Sequence, residues 1–165
     1  MTSSPAPDGA GEAAPDAGAP APLAVVACHG ELAAGLVSAV AQITGREALL
    51  VPLSNRGRSP AELDALLRAA VDAGPVRAVF TDLPGGSWTM AARRVQRERP
   101  ELAVAAGVNL AALLEFVCAA GGREPAEGSS GEGTGAIVTR ALDRGRASLV
   151  ALGVPAAASG GGTPR

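Results

Sequence analysis

Four short, almost wholly apolar runs recur along the chain with amphipathic segments between them, and this alternation restricts the fold more than any other feature of the sequence. The runs are Leu23–Cys28 (LAVVAC), Glu47–Leu53 (EALLVPL), Val76–Thr81 (VRAVFT) and Leu102–Ala106 (LAVAA). A strand with one wet face alternates apolar and polar residues, whereas a strand covered on both faces reads as a continuous apolar run, the habit of parallel sheets. Between the runs, Glu31–Thr44, Pro60–Asp72 and Ser87–Arg99 repeat leucine, valine and alanine at three- and four-residue steps, which predicts amphipathic helices. Ser59-Pro60-Ala61-Glu62 reads as an N-cap with proline at the first helical position, and Gly45 and Gly74 stand where helices should stop. Two further helices are predicted over Asn109–Ala120 and Thr134–Leu152. Strand and helix in alternation give an α/β fold, a doubly wound, mainly parallel open sheet of about four strands with helices on both faces.

The remaining segments are of a different kind. Residues 1–22 and 154–165 are rich in Ala, Pro and Gly without apolar periodicity, and 121–135 (GGREPAEGSSGEGTG) is dominated by glycine and polar residues. Such segments bury too little apolar surface to offset the entropy of ordering, so the expectation is one domain over 23–153 with disordered tails and a mobile loop at about 121–135. Aromatic residues make up only 2% of the chain, so the core has to be built from Ala, Leu and Val. The formal net charge of −2 lacks the basic excess that nucleic acid or an anionic lipid surface requires. One histidine and two distant cysteines cannot supply a four-ligand zinc site, so neither metal nor cofactor is expected. Cys28 and Cys118 both lie within apolar runs and read as buried core thiols. No basic start followed by an apolar stretch opens the chain, and no run reaches the length of a membrane span, so the expected location is the cytoplasm.

In an open parallel sheet, function collects at the carboxyl ends of the strands. The first strand runs into Cys28-His29-Gly30, the third into Thr81-Asp82-Leu83-Pro84-Gly85-Gly86-Ser87, and the fourth into Gly107-Val108-Asn109. His29 is the only histidine, and the glycine after it lets the backbone bend away. A lone histidine is more often an ordinary polar residue. A carboxylate on a neighbouring strand end changes that, because Asp82 could accept a bond from Nδ1–H and leave Nε2 as a nucleophile. Asp82 could equally be a turn residue ahead of Pro84. Gly85-Gly86-Ser87, ahead of a predicted helix, could present backbone N–H groups to an anion or could simply be a loop with an N-cap. No Gly-Lys-Ser or Gly-Lys-Thr follows, so this is not a nucleotide P-loop. Ser87, His29 and Asp82 also name the residue types of a hydrolase triad, but Trp88-Thr89 after Ser87 departs from the G-x-S-x-G elbow.

Taken in order, Val26-Ala27-Cys28-His29-Gly30-Glu31-Leu32, then Phe80-Thr81-Asp82-Leu83-Pro84-Gly85-Gly86-Ser87, then Ala106-Gly107-Val108-Asn109-Leu110, closely resemble the IIA domain of the mannose/fructose/sorbose family of bacterial sugar phosphotransferase systems. The resemblance covers about 23 to 120 and weakens over 134–152. It implies a phosphotransferase working as a phosphocarrier: His29 is phosphorylated at Nε2 by HPr and the group passes to a separate IIB component, itself associated with membrane IIC and IID components. It carries the ring-orienting role to Asp82 and the phosphate site to Gly85, Gly86 and Ser87, and it places Ser54, Asn55 and Asn109 on the rim. It also implies a homodimer and an antiparallel edge strand, for which this sequence offers no run. A regulatory module read by its phosphorylation state, without sugar transport, and a phosphocarrier serving dihydroxyacetone kinase fit the same motifs. Trp88-Thr89 stands where mannose-type members often have Pro-Phe, so Trp88 is either an exposed partner contact or, preferably, a core residue at a helix start.

Overall fold

A computed structural model of the chain describes residues 21–121 and 133–153. The tails expected at 1–22 and 154–165 and the loop expected at 121–135 fall, but for a few flanking residues, outside them. The elements run β1 (Ala24–Cys28), α1 (Leu32–Thr44), β2 (Leu50–Ser54), α2 (Pro60–Asp72), β3 (Ala78–Thr81), α3 (Ser87–Glu98), β4 (Ala103–Ala106), α4 (Leu110–Ala120) and α5 (Thr134–Ala147). Among the described residues the sheet has four strands in the order β2-β1-β3-β4, every pair parallel. No antiparallel edge strand is found among those residues.

Pleating divides the sheet's side chains between two cores. Ala24, Val26 and Cys28 of β1 join Phe80 of β3 beneath α1, α4 and α5, where Val40, Leu113, Phe116, Val117, Val138 and Ala141 meet them. Val25, Ala27 and Val79 point the other way, onto Leu63, Leu67 and Val71 of α2 and Trp88, Ala91, Ala92 and Val95 of α3. This is why the runs are apolar without alternation: both faces of β1 and β3 are covered, and both strands are wholly buried. Phe80 and Phe116 meet edge to face at 5.1 Å between ring centroids, a geometry that adds about 0.5–1.5 kcal/mol beyond area burial. Three ion pairs, Asp64–Arg94, Arg68–Glu98 and Asp72–Arg99, then tie α2 to α3 along their outer sides.

Local signals account for the helix ends. Ser59 and Glu62 form a full capping box, Ser59 Oγ accepting from Glu62 N–H and Glu62 Oε2 from Ser59 N–H. Gly45 closes α1 in the left-handed conformation at φ 64°, where a side chain would be strained. Three elements differ from expectation by two residues or more at one end. Glu47–Leu49 forms a turn of 3₁₀ helix, and β2 starts only at Leu50 and reaches Ser54. β3 begins at Ala78, two residues later than the apolar run. α5 stops at Ala147, short of Leu152: Ser148 turns its hydroxyl back onto the Gly145 carbonyl, and Leu149, Val150 and Leu152 pack on nothing among the described residues.

The cysteines separate. Cys28 is buried in β1, where burial first and the Asp82 charge second push its thiol up to about 12. Cys118 is exposed, against expectation: α4 buries Ala112, Leu113, Phe116, Val117 and Ala120, and position 118 falls on its outward side.

The α4–α5 contact turns on one glycine. A Cβ at Gly145 would stand 3.1 Å from Ala112 Cβ and 3.1 Å from Asn109 Oδ1. Asn109 cannot yield readily, since its amide caps Ala112 N–H at 3.0 Å and donates to Gly145 O at 3.0 Å. Gly145→Val is therefore expected to destabilise by about 1–3 kcal/mol, whereas Gly145→Ala stays closer to wild type because alanine recovers up to about 1 kcal/mol of helix propensity. Urea unfolding of the two variants tests this, and a valine variant as stable as the wild type would refute the close approach.

Candidate functional site

The register of the sheet sets the site. Ala27 pairs with Thr81 across β1 and β3, so Asp82 leaves the sheet level with Cys28, one residue from His29. On the other side Cys28 pairs with Ser54, which brings Asn55 beside the same exit. The exits of β1, β2 and β3 thus turn away from the sheet at one end, whereas the strand-end reading names those of β1, β3 and β4; Asn109, after β4, caps α4 instead. Gly30 makes the first turn at φ 56°, and Asn55 Oδ1 accepts its N–H at 3.2 Å.

His29 and Asp82 are in direct contact. Asp82 Oδ2 accepts both the backbone N–H of His29 and ring Nδ1, each at 2.8 Å, while Oδ1 accepts Leu83 N–H at 2.9 Å. The His29 side chain is 44% exposed and that of Asp82 only 9%. Burial raises the pKa of Asp82, but the His29 N–H, the ring, its charge and the Leu83 N–H outweigh burial and leave the carboxyl below its ordinary value. An ionised carboxylate only accepts, so the proton of this contact sits on Nδ1. In the neutral ring the lone pair is then on Nε2.

The Gly85-Gly86-Ser87 run is not uniform. Gly86 is the N-cap of α3 without a side-chain cap, and Ser87 is its first helical residue. Its first-turn N–H groups have no acceptor within the helix. A Cβ on Gly86 would lie 3.3 Å from His29 Cε1, so this glycine adjoins the ring itself, whereas a Cβ on Gly85 would meet nothing within 4 Å.

The remaining rim residues have other neighbours. Ser54 Oγ accepts Arg56 N–H at 3.2 Å, and Asn109 caps α4 and bridges to α5. Of these, Asn55 alone touches the His29 turn directly.

The sequence reading missed several participants. Arg56 pairs with Glu31 at 3.1 Å over that turn, both well exposed. Trp88 is fully buried, as preferred above, and its Nε1–H donates to the Cys28 carbonyl at 3.1 Å. Thr89 donates to the Leu83 carbonyl at 2.7 Å and meets Thr81 Oγ1 at 2.5 Å. A tryptophan and a threonine on the first turn after a glycine pair were the available signal, though nothing in the sequence tells which carbonyls they reach.

Comparison with known proteins gives the family and the fold. The family profile for the fructose IIA component of the phosphotransferase system (EIIA-man) matches residues 24–130. Among solved structures, the mannose/sorbose-specific IIA subunit from Enterococcus faecalis is 24% identical, with a TM-score of 0.62 over 82% of this chain and 97% of that one. The EIIA component from Streptococcus agalactiae is 20% identical, with a TM-score of 0.63 over 78% and 95%. The IIA protein associated with the fucose utilization operon of Streptococcus pneumoniae is 21% identical, with a TM-score of 0.58 over 74% and 90%. A comparison with the curated proteins finds no match. The structures agree in fold, and the family profile supplies the relationship: this chain belongs to the mannose/fructose-type IIA components of the phosphotransferase system.

Proposed function

We propose that residues 23–153 act as one phosphocarrier domain in the cytoplasm, taking a phosphoryl group from phospho-HPr on His29 and passing it to a separate IIB component that works with membrane IIC and IID proteins in sugar transport. The observation that carries this reading is the Asp82 contact, which places the proton on Nδ1 and leaves Nε2 of a half-exposed ring as the nucleophile. In the first step the Nε2 lone pair attacks phosphorus. The bond from phosphorus to the donor's ring nitrogen breaks, and that nitrogen keeps the electron pair. The phosphorylated ring carries added positive charge, which the Asp82 carboxylate faces from Nδ1. The uncapped first turn of α3, with Gly86 against the ring and Ser87 beside it, offers N–H groups and a hydroxyl to the phosphoryl oxygens. Ser54, Asn55 and Asn109 enter as supports of the rim, Asn55 by holding Gly30. The second step is the reverse, toward IIB. Among the described residues no helix is long and apolar enough to cross a membrane, which suits a carrier that meets its partners by diffusion.

The test is transfer itself. Incubated with phosphoenolpyruvate, enzyme I and HPr, the wild type is expected to gain an acid-labile, base-stable phosphate that His29→Ala lacks. A wild type left unmodified by a cognate HPr would sink the reading.

The same reading includes a homodimer, for which the apolar residues Leu149, Val150 and Leu152, 77%, 68% and 88% exposed among the described residues, are the candidate surface. Leu149→Asp with Val150→Asp is expected to halve the mass measured by light scattering. A wild type already monomeric at the same concentration would remove the dimer.

A further inference from the structure

The first turn of α3 holds both of the strand exits that carry His29 and Asp82. Trp88 Nε1–H donates to the carbonyl of Cys28. That carbonyl belongs to the same peptide unit as the His29 N–H, which Asp82 Oδ2 accepts at 2.8 Å. The Cys28–His29 peptide is therefore gripped on both sides, by an indole at its oxygen and a carboxylate at its nitrogen. One residue further along α3, the Thr89 hydroxyl donates to the carbonyl of Leu83, directly after Asp82, and the same carbonyl accepts Gly86 N–H at 3.0 Å. With Thr89 donating to Leu83, Thr81 Oγ1 serves as its donor at 2.5 Å. Trp88 is fully buried, Thr81 likewise, and Thr89 nearly so. Bonds in such surroundings are costly to leave unmade and hold geometry firmly.

We propose that Trp88 and Thr89 are positioning residues for phosphoryl transfer: adjacent on one helical turn, they fix the spacing between the β1 and β3 exits at which Asp82 can hold the Nδ1–H of His29. The ordinary account of Trp88 is that it fills the core between the sheet and α3, which it does. Filling alone does not require the indole N–H to end on the one peptide that also carries the His29 amide, nor the next residue to bind the carbonyl after Asp82. Loosening either grip lets the two exits drift, and a shift of a fraction of an ångström lengthens the ring-to-carboxylate bond and mixes the two ring tautomers. The proposal rests on reading His29 as the phosphoryl acceptor, and its test separates the two.

Trp88→Phe keeps an aromatic body and loses the N–H. Thr89→Val keeps the shape and loses the hydroxyl, and Thr89→Ser restores it. Each is compared with wild type for phosphorylation by phospho-HPr, with kcat and KM separated, and for the ¹⁵N shifts of the His29 ring, which report the Nδ1–H and Nε2–H populations. Trp88→Phe and Thr89→Val are expected to lower kcat about tenfold with KM little changed, and to shift the ring nitrogens toward a tautomer mixture. Thr89→Ser is expected to stay near wild type in both. Should Trp88→Phe fail to fold, the valine and serine pair at 89 decides. Wild-type kcat and wild-type ring shifts in Thr89→Val and in any folded Trp88→Phe overturn the proposal, whatever their melting temperatures. If the wild type itself takes no phosphoryl group, the reading of His29 fails, and the ring shifts alone still decide whether α3 sets the tautomer.

Discussion

Asp82→Asn is expected to slow phosphorylation of His29 by roughly a hundredfold or more while the domain stays folded. The carboxylate accepts three N–H groups, two on Oδ2 and one on Oδ1. An asparagine has a single acceptor oxygen and an NH₂ that only donates. With its oxygen toward His29 it sets NH₂ against Leu83 N–H, and with its oxygen toward Leu83 it sets NH₂ against both His29 donors. Either way the ring loses the charge that fixes Nδ1–H and offsets the positive charge of the phosphorylated state. The pH dependence follows from the lowered pKa of Asp82. A carboxyl depressed in the native state contributes stability that is fully present above its unfolded value of about 3.9 and is lost as pH falls through the lower native value. Wild type should therefore lose more stability than Asp82→Asn as pH falls below about 4, the difference being the share that Asp82 contributes. Initial rates at neutral pH and acid unfolding followed by circular dichroism measure both. A variant phosphorylated at the wild-type rate would take Asp82 out of the mechanism.

Why the site was legible while its support was not is a matter of range. An unbroken apolar run declares a strand buried on both faces, and β1 and β3 are central strands that match the rule throughout. β2 and β4 lie at the sheet's edges and are only partly buried, so their runs mark position better than limits. Parallel strands then bring His29, Asp82 and Asn55 to one edge by topology; a reader of strand ends finds the first two, and Asn55 enters only through the family resemblance. Trp88 reaches Cys28 across 60 residues of sequence, through the height of α3's first turn above the sheet, and no periodicity encodes that height. Cys118 shows the same limit at a smaller scale. α4 is apolar but for Glu115, three residues before Cys118 and on the same side, and the packing of Phe116 and Val117 against the sheet fixes that side as the outer one.

The two adjacent glycines give the sharpest division between a phosphate cradle and a seat for the ring. Gly86 has φ −76° and ψ 164°, extended backbone that any residue adopts, so nothing about its conformation demands glycine. What demands it is space: a Cβ there would stand 3.3 Å from His29 Cε1, from Leu83 Cβ and from Leu83 O at once. The Leu83 carbonyl is held by Thr89 and by Gly86 N–H, which leaves the imidazole as the neighbour able to move. Gly86→Val adds two methyl groups to that contact and is expected to displace the ring from Asp82, lowering phosphorylation by about tenfold or more and stability by about 1–3 kcal/mol. Gly85→Ala places its Cβ in open space and should leave the His29 Cε1–H resonance and the melting temperature where they are. The pair is informative because a cradle for phosphoryl oxygens would suffer from either side chain, whereas a seat for the ring suffers from one. Equal losses of transfer in both variants, with an unmoved ring resonance in each, would return the glycines to a shared role in holding phosphate. Loss in Gly86→Val alone, with the resonance shifted, assigns Gly86 to the histidine and leaves the open face over Gly85 for the incoming group.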